Sequence, residues 1–237
     1  MTDAHCHVAR GAERHFICDP MDGAIGGRDV RFAGTHPWFL DGFDAAALRA
    51  RLAADPALGV GETGLDRLRE RVIPQRMRDV FDAQLALAAE FRRPVVLHGA
   101  KCWGEVVKAA AKAGAAAHGG AGVPAFLFHG FSRSEGLLPD IIGLNGYVSV
   151  GPSILNDHAV NYRALVKKIP SDRLLVESDA TAESAAEAPG VEEVFAKLAE
   201  VRGEPLDALA VRLEANADAF ASHLVSVKLG DLGARQG

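Results

Sequence analysis

The first residues that suggest a chemistry are two histidines near the start of the chain, in the run Asp3-Ala4-His5-Cys6-His7. If this run is a β-strand, alternate side chains point to the same face, so His5 and His7 can offer two imidazole nitrogens to one metal ion. Cys6 then points to the opposite face and is expected to fill the core. A single pair of this kind also occurs in structural positions, so the interpretation depends on further ligands.

Four more ionisable residues stand at or just after the ends of apolar runs, where a buried strand would finish. They are Glu62, His98, His129 and Asp179. In barrels of alternating strands and helices, the C-terminal ends of the strands carry the active site. Buried polar groups need partners, and one metal site at the barrel mouth would satisfy all of these groups.

The candidate ligands are four histidines and two carboxylates. Nitrogen and oxygen ligands without thiolate suit Zn, Mn, Fe, Co or Ni, and Mg is less at home among imidazoles. Six ligands exceed the four of one tetrahedral zinc site. The sequence therefore predicts two divalent metal ions that share one carboxylate, an arrangement suited to displacement at phosphorus.

Short apolar runs alternate with helical patterns along the chain, which is typical of parallel β/α units. The predicted strands are 3–7, 15–18, 30–35, 58–62, 94–98, 125–129, 146–150 and 174–178. The predicted helices are 44–54, 74–91, 104–113, 134–140, 160–168, 191–202 and 206–221. Within the second of these helices, a buried stripe is expected from Val80, Phe81, Leu85, Leu87 and Ala88.

The spacing of the first three strands departs from an ordinary barrel. Only about seven residues separate the first two strands and about eleven separate the next two, whereas a parallel crossover normally needs a dozen or more. The predicted fold is therefore an α/β, TIM-type (β/α) barrel, trimmed by loss of helices between the first three strands. Residues 1–237 are expected to form a single domain, a metal-dependent hydrolase barrel.

The bulk composition limits the function classes. The chain has 237 residues and a net charge of -5, which argues against a broad basic surface for nucleic acid. A nuclease is still compatible with this charge, because divalent cations can hold phosphate locally. A local basic run, Arg67 to Arg78, could contribute phosphate contacts. No apolar run spans a membrane, no secretory signal is evident, and a cytoplasmic protein with no obligatory protein partner is expected.

Several motifs along the chain resemble those of one known family. They are DAHCHV at 3–8, GTHPWF at 34–39, GVGETGLD at 59–66, PVVLHG at 94–99, FLFHGFS at 126–132, GYVSVG at 146–151, RLLVESD at 173–179 and, more weakly, NADAFA at 216–221. With these motifs in this order, the chain resembles the TatD-like metal-dependent deoxyribonucleases of the amidohydrolase superfamily. The resemblance implies hydrolysis of phosphodiester bonds, typically from the ends of DNA, so nucleic acid is the expected substrate.

The resemblance also implies a role for each ligand. His5 and His7 would bind one metal together with Asp179, while His98 and His129 would bind the other. Glu62 would bridge the two metals. Asp179 would in addition orient the attacking water and accept its proton, which makes Asp179 and Glu62 the catalytic carboxylates.

Other positions in these motifs are candidates for contacts with the substrate. His36 is expected to lie near the site, either touching substrate or playing a structural part, and Arg76 could touch phosphate. The family often has an arginine two residues after His98, whereas this chain has Ala100 followed by Lys101. Lys101 is therefore the remaining candidate for a contact with the substrate. Asp66 is expected to fix a loop rather than to bind metal.

Two other functions remain open from the residues. The first is an amidohydrolase-superfamily enzyme acting on a small amide, lactone or phosphoester, which would need a closed and mostly apolar pocket. The second is a non-catalytic metal-binding barrel. Relatives that act on small substrates often use a carboxylated lysine as the bridge, and Glu62 at this position favours the nuclease group.

Overall fold

Eight parallel strands form one sheet in chain order, and helices follow most of them. The computed structural model describes residues 1–18, 27–69, 71–115, 122–184 and 186–225. The strands are β1 (Thr2–Cys6), β2 (Arg14–Cys18), β3 (Val30–Ala33), β4 (Leu58–Asp66), β5 (Val95–Ala100), β6 (Phe126–Phe128), β7 (Gly146–Val150) and β8 (Leu174–Val176). All eight predicted strands are confirmed, as is the TIM-type barrel.

Seven α-helices cover the described part of the sheet. They are α1 (Ala45–Ala54), α2 (Gln75–Glu90), α3 (Trp103–Ala115), α4 (Leu138–Gly143), α5 (Val160–Val166), α6 (Val191–Arg202) and α7 (Leu206–Val225). Helix α1 begins where Asp44 accepts hydrogen bonds from the N–H groups of Ala46 and Ala47, as expected of an N-capping aspartate. The predicted buried stripe of α2 is confirmed. No helix in the described ranges is both long and apolar enough to span a bilayer.

The barrel is trimmed between its first two strands, as the spacing predicts. Strands β1 and β2 pair in parallel, although only residues 7–13 join them and these described residues contain no helix. The connection between β2 and β3 includes residues 19–26, which lie outside the described part of the chain. The barrel closes where the Asp179 N–H donates to the His5 carbonyl at 3.0 Å and the His7 N–H donates to the Ala180 carbonyl at 2.8 Å.

An aromatic cluster fills the barrel at the end where the strands begin. Phe220 of α7 lies 5.8 Å from Phe16, 6.1 Å from Phe32 and 5.5 Å from Tyr147, measured between ring centres. Helix α7 is also tied to the start of β8, because the Asn216 amide donates to the Leu174 carbonyl at 2.8 Å. This end of the barrel is therefore an apolar core, and the polar side chains gather at the opposite end.

Candidate metal centre

Strand β4 carries the carboxylate on which the candidate site is built. All nine of its residues are buried, and it runs to Asp66, four residues beyond its predicted end. Glu62 is 3% exposed. Beyond it, Gly64 lies opposite His98 of β5, and a side chain at Gly64 would collide with the His98 carbonyl oxygen. The two strands therefore approach closely where their polar side chains turn toward the barrel mouth.

The two oxygens of the Glu62 carboxylate face two different pairs of histidines. Its Oε2 atom lies 3.4 Å from His5 Nε2 and 3.2 Å from His7 Nε2. Its Oε1 atom lies 2.6 Å from His98 Nδ1 and 2.7 Å from His129 Nε2. Four imidazoles from three segments of the chain thus surround one buried carboxylate.

Asp179 completes the cluster from the segment after β8. Its Oδ1 atom lies 3.4 Å from His5 Nε2, and its side chain is 48% exposed. Its backbone adopts a left-handed conformation with φ of 51°, which is strained for a residue other than glycine. The structure therefore brings all six predicted ligands together, with Glu62 buried and Asp179 at the opening.

Three overlapping groups of side chains have ligand atoms within 4.8 Å of one another. They are His5 with His129 and Asp179, His5 with His7 and Glu62, and His36 with Glu62 and His98. Two buried nitrogens, His5 Nε2 and His129 Nδ1, have no hydrogen-bond partner among the described residues. Imidazole and carboxylate donors of this kind fit a divalent transition metal, and an ion would satisfy the unpartnered His5 nitrogen.

His36 joins the cluster by a different kind of contact. Its Nδ1 atom accepts a hydrogen bond from the Trp38 N–H at 3.1 Å, while its Nε2 atom lies 3.6 Å from Glu62 Oε1. Burial lowers the pKa of His36 to about 4, so the ring is neutral at pH 7. A neutral imidazole carries one proton, which must then lie on Nε2. In this protonation state His36 points an N–H toward the cluster, and its nearness to Glu62 and His98 also makes it a candidate ligand.

The charges in the cluster compensate one another. Burial works to raise the pKa of Glu62, but His129 and His5 outweigh it and hold that pKa well below the usual range. Burial works to lower the pKa of His129, yet the pKa is raised to about 10, chiefly by Glu62. The pKa of Asp179 is lowered by its contact with His5 against the effect of burial. Protons on the imidazoles thus balance the carboxylates, and a divalent cation would replace those protons.

Behind the cluster, three of the histidines touch a second partner that the sequence does not identify. Asp66 Oδ2 lies 3.0 Å from His98 Nε2, and Cys18 Sγ lies 3.4 Å from His5 Nδ1. Glu177 Oε1 lies 3.6 Å from His129 Nδ1, and the Ser149 hydroxyl donates to the same carboxylate group. Metal-binding histidines usually have such a partner on the ring nitrogen that faces away from the metal.

An open cleft of about 840 Å³ lies beside the cluster, and His98, His129 and Asp179 form part of its wall. Its cationic lining residues are Arg67, Lys101, Lys108 and Arg133. Lys101 is the residue that the sequence singled out, whereas Lys108 and Arg133 belong to no motif. Arg76 is not among the described residues that line the cleft; its guanidinium donates to the Leu40 carbonyl at 3.1 Å.

The chain is similar to proteins of one family. The family described as TatD related DNase matches residues 26–222. The chain is 31% identical over 136 residues to the uncharacterized metal-dependent hydrolase YabD of Bacillus subtilis, and 35% identical over 161 residues to the 3'-5' ssDNA/RNA exonuclease TatD of Dickeya dadantii. These matches span 57% and 62% of this chain but only 51% and 55% of the two relatives.

A solved structure shows the same fold over a longer stretch. The crystal structure of YjjV, a TatD homologue from Escherichia coli K12, superposes with a TM-score of 0.76 at 24% sequence identity. The superposition covers 92% of this chain and 96% of that one. The barrel is therefore the overall fold that this chain has in common with YjjV.

Proposed function

Because the chain belongs to the TatD related DNase family, we propose that it is a divalent-metal-dependent phosphodiesterase that degrades single-stranded nucleic acid, DNA in particular, from one end. The relative from Dickeya dadantii is named for exonuclease action on single-stranded DNA and RNA, which supports this class of substrate. The cationic lining of the cleft supports it as well, because phosphates are attracted to lysine and arginine.

The observation that carries the proposal is the position of Glu62 between two pairs of histidines. One carboxylate oxygen faces His5 and His7, and the other faces His98 and His129. This supports two ions that share Glu62, one held also by His5, His7 and Asp179 and the other by His98 and His129. When bound, such ions supply positive charge that polarises a phosphoryl group and lowers the pKa of water.

The chain's own side chains then account for binding and proton movement. Asp179 is ionised at neutral pH, because its pKa is lowered, and it reaches the cleft, so its carboxylate can orient a water molecule and accept the proton that water loses. His36 points a neutral N–H into the cluster and can donate to a phosphoryl oxygen. Lys101 and Arg133 line the cleft and can contact neighbouring phosphates of the strand.

A second candidate is the hydrolysis of a small phosphoester. The volume of the cleft lies within the range of about 300–1,000 Å³ that is usual for pockets that bind small molecules. Four cationic residues along one cleft can contact several phosphates at once, which a nucleic-acid strand carries and a small phosphoester does not, so the nuclease remains the first proposal.

The test uses the purified chain with Mn, Zn or Mg and three substrates: single-stranded DNA, single-stranded RNA and a small phosphodiester. His98→Ala is the variant, and His158→Ala, at an exposed position outside the cluster, is the matched control. We expect metal-dependent shortening of DNA that His98→Ala abolishes and His158→Ala retains. Turnover of the small ester alone would favour the second candidate. Binding of metal without turnover of any substrate would refute both activities.

A further inference from the structure

Beside the metal centre, two large aromatic side chains stay at the surface. Trp38 is 40% exposed and Phe39 is 66% exposed, and both directly follow His36 and Pro37 in the chain. The Trp38 ring meets the His36 ring edge-on at 5.0 Å, and His36 meets His98 at 4.5 Å. A short series of ring contacts therefore connects an exposed indole to a candidate metal ligand.

Contacts within its own segment limit the movement of Trp38. Its backbone N–H donates to His36, and its ring packs edge-on against the same imidazole. An aromatic side chain that is held by packing while its ring stays partly exposed is suited to stacking on a ligand, because little rotamer entropy is lost on binding.

Arg69 adds a cation to the same surface. Its guanidinium carbon lies 3.9 Å from the centre of the Trp38 ring, a cation–π contact. The neighbouring Arg67 and Leu68 line the cleft beside the metal centre. The surface thus combines an aromatic ring, a planar cation and a continuous path to the candidate site, which is how proteins bind the bases of single strands.

We propose that Trp38 and Arg69 form a base-stacking site, which holds the nucleobase of the nucleotide next to the scissile phosphate of a single-stranded nucleic acid. This inference rests on the proposed function for the identity of the strand. The base stacks on the Trp38–Arg69 pair, while the adjoining phosphates enter the cleft toward Lys101. The enzyme then selects unpaired ends, because a base within a duplex offers no free face for stacking.

The test compares two single-stranded oligonucleotides of equal length, one intact and one abasic at the reacting end. Stacking on an aromatic ring is worth about 1–3 kcal/mol per base, so we expect KM to be about 5- to 150-fold lower for the intact strand. Trp38→Ala should abolish this ratio and Trp38→Phe should retain most of it. Arg69→Ala should reduce the ratio, whereas the matched control Arg71→Ala should not.

A second readout is independent of hydrolysis. The chain has two tryptophans; Trp38 is 40% exposed, and Trp103 is 4% exposed and lines the cleft. Quenching by a nucleobase is therefore assigned to Trp38 only if it is lost in Trp38→Phe. With a phosphorothioate strand that resists cleavage, we expect base-dependent quenching that the abasic strand does not give. Cleavage with equal KM values for both strands would overturn the stacking site and leave the nuclease standing. Quenching by the phosphorothioate strand, together with no cleavage of the ordinary strands, would support the site and refute the proposed activity. Absence of quenching would overturn the site, and a dimer lost in Trp38→Ala would assign the surface to self-association instead.

Discussion

Replacing Asp66 by asparagine tests whether this residue orients His98 or only fixes a loop. One Asp66 oxygen lies 3.0 Å from His98 Nε2, and the other accepts the Leu68 N–H at 2.5 Å. The Leu68 backbone presents an N–H to Asp66. His98 presents one from Nε2 when its Nδ1 atom carries no proton and faces the cluster. Aspartate has two acceptor oxygens, whereas asparagine has one and presents an NH₂ group on the other side. Asp66→Asn can therefore satisfy the loop or the histidine, but not both.

The expected size of the effect follows from this lost contact. Removing the outer partner of a metal-binding histidine typically costs 10- to 100-fold in metal affinity, which corresponds to about 1.4–2.7 kcal/mol. We expect Asp66→Asn to weaken binding of Zn or Mn by this factor, as measured by competition with a fluorescent chelator. We expect its far-ultraviolet circular dichroism to match that of the unaltered chain.

The matched control is Asp82→Asn, at an exposed position on α2, which should leave metal affinity unchanged. A folded Asp66→Asn chain with the metal affinity of the control would refute the reasoning. It would mean that Asp66 only fixes the loop, which is the role that the sequence suggests. A drop in stability without a change in affinity would lead to the same conclusion.

Three further predictions concern the structure around the site. Gly64→Ala should reduce metal binding at least tenfold and lower the melting temperature, because its methyl group would lie 2.0 Å from the His98 carbonyl oxygen; a chain with unchanged metal content and melting curve would contradict this. Phe220→Ala should lower the free energy of unfolding by about 3–5 kcal/mol, measured with urea, and a loss below 1 kcal/mol would contradict the packing of the barrel end. Burial works to raise the pKa of Glu204, but Arg202 and Arg212 outweigh that effect, so the pKa lies below 4.5. The stabilisation from Glu204 is therefore present above about pH 4.5 and lost as the pH falls further. Glu204→Gln should cost about 1 kcal/mol at pH 7 and less at pH 3, and an equal cost at both pH values would contradict the ion pair.

The positions of the strands were predictable from the sequence because a buried parallel strand is a short apolar run. Strand β7 begins and ends at the predicted residues, and the others differ from prediction by four residues at most. The extension of β4 to Asp66 was not predictable, because Gly61, Gly64 and the polar residues between them break the apolar pattern. These residues join the sheet only through close pairing with β5.

The convergence of the six candidate ligands was predictable for a related reason. In a parallel barrel all strands end at the same face, so a polar residue at each strand end is enough to predict a shared site. The side chains that contact the histidines from behind the cluster were not predictable, because each contact depends on the register between different strands. Asp66 reaches His98 across β4 and β5, and Cys18 reaches His5 across β2 and β1.

The residues that line the cleft were the hardest to predict from the sequence. Arg133 and Lys108 lie on loop and helix positions that no motif marks, and they meet Lys101 only in the folded cleft. The resemblance to the family implies a phosphate contact for Arg76, but its guanidinium is directed to a backbone carbonyl. A contact with phosphate at Arg76 stays a prediction. Side-chain direction on exposed segments depends on neighbours that are distant in sequence, and periodicity says nothing about it.

The closure of the barrel has a consequence for folding kinetics. Every other strand pairs with its neighbour in the chain, whereas closure joins residues such as Asp3 and Ser178, which are 175 positions apart. Closing so long a loop is entropically costly, so this pairing is expected to form after the other strands have assembled. His5 and Asp179 meet only at that step. An ion held by both residues would link the first and last strands after the slow step of folding. It would then lengthen the lifetime of the folded state without making folding faster.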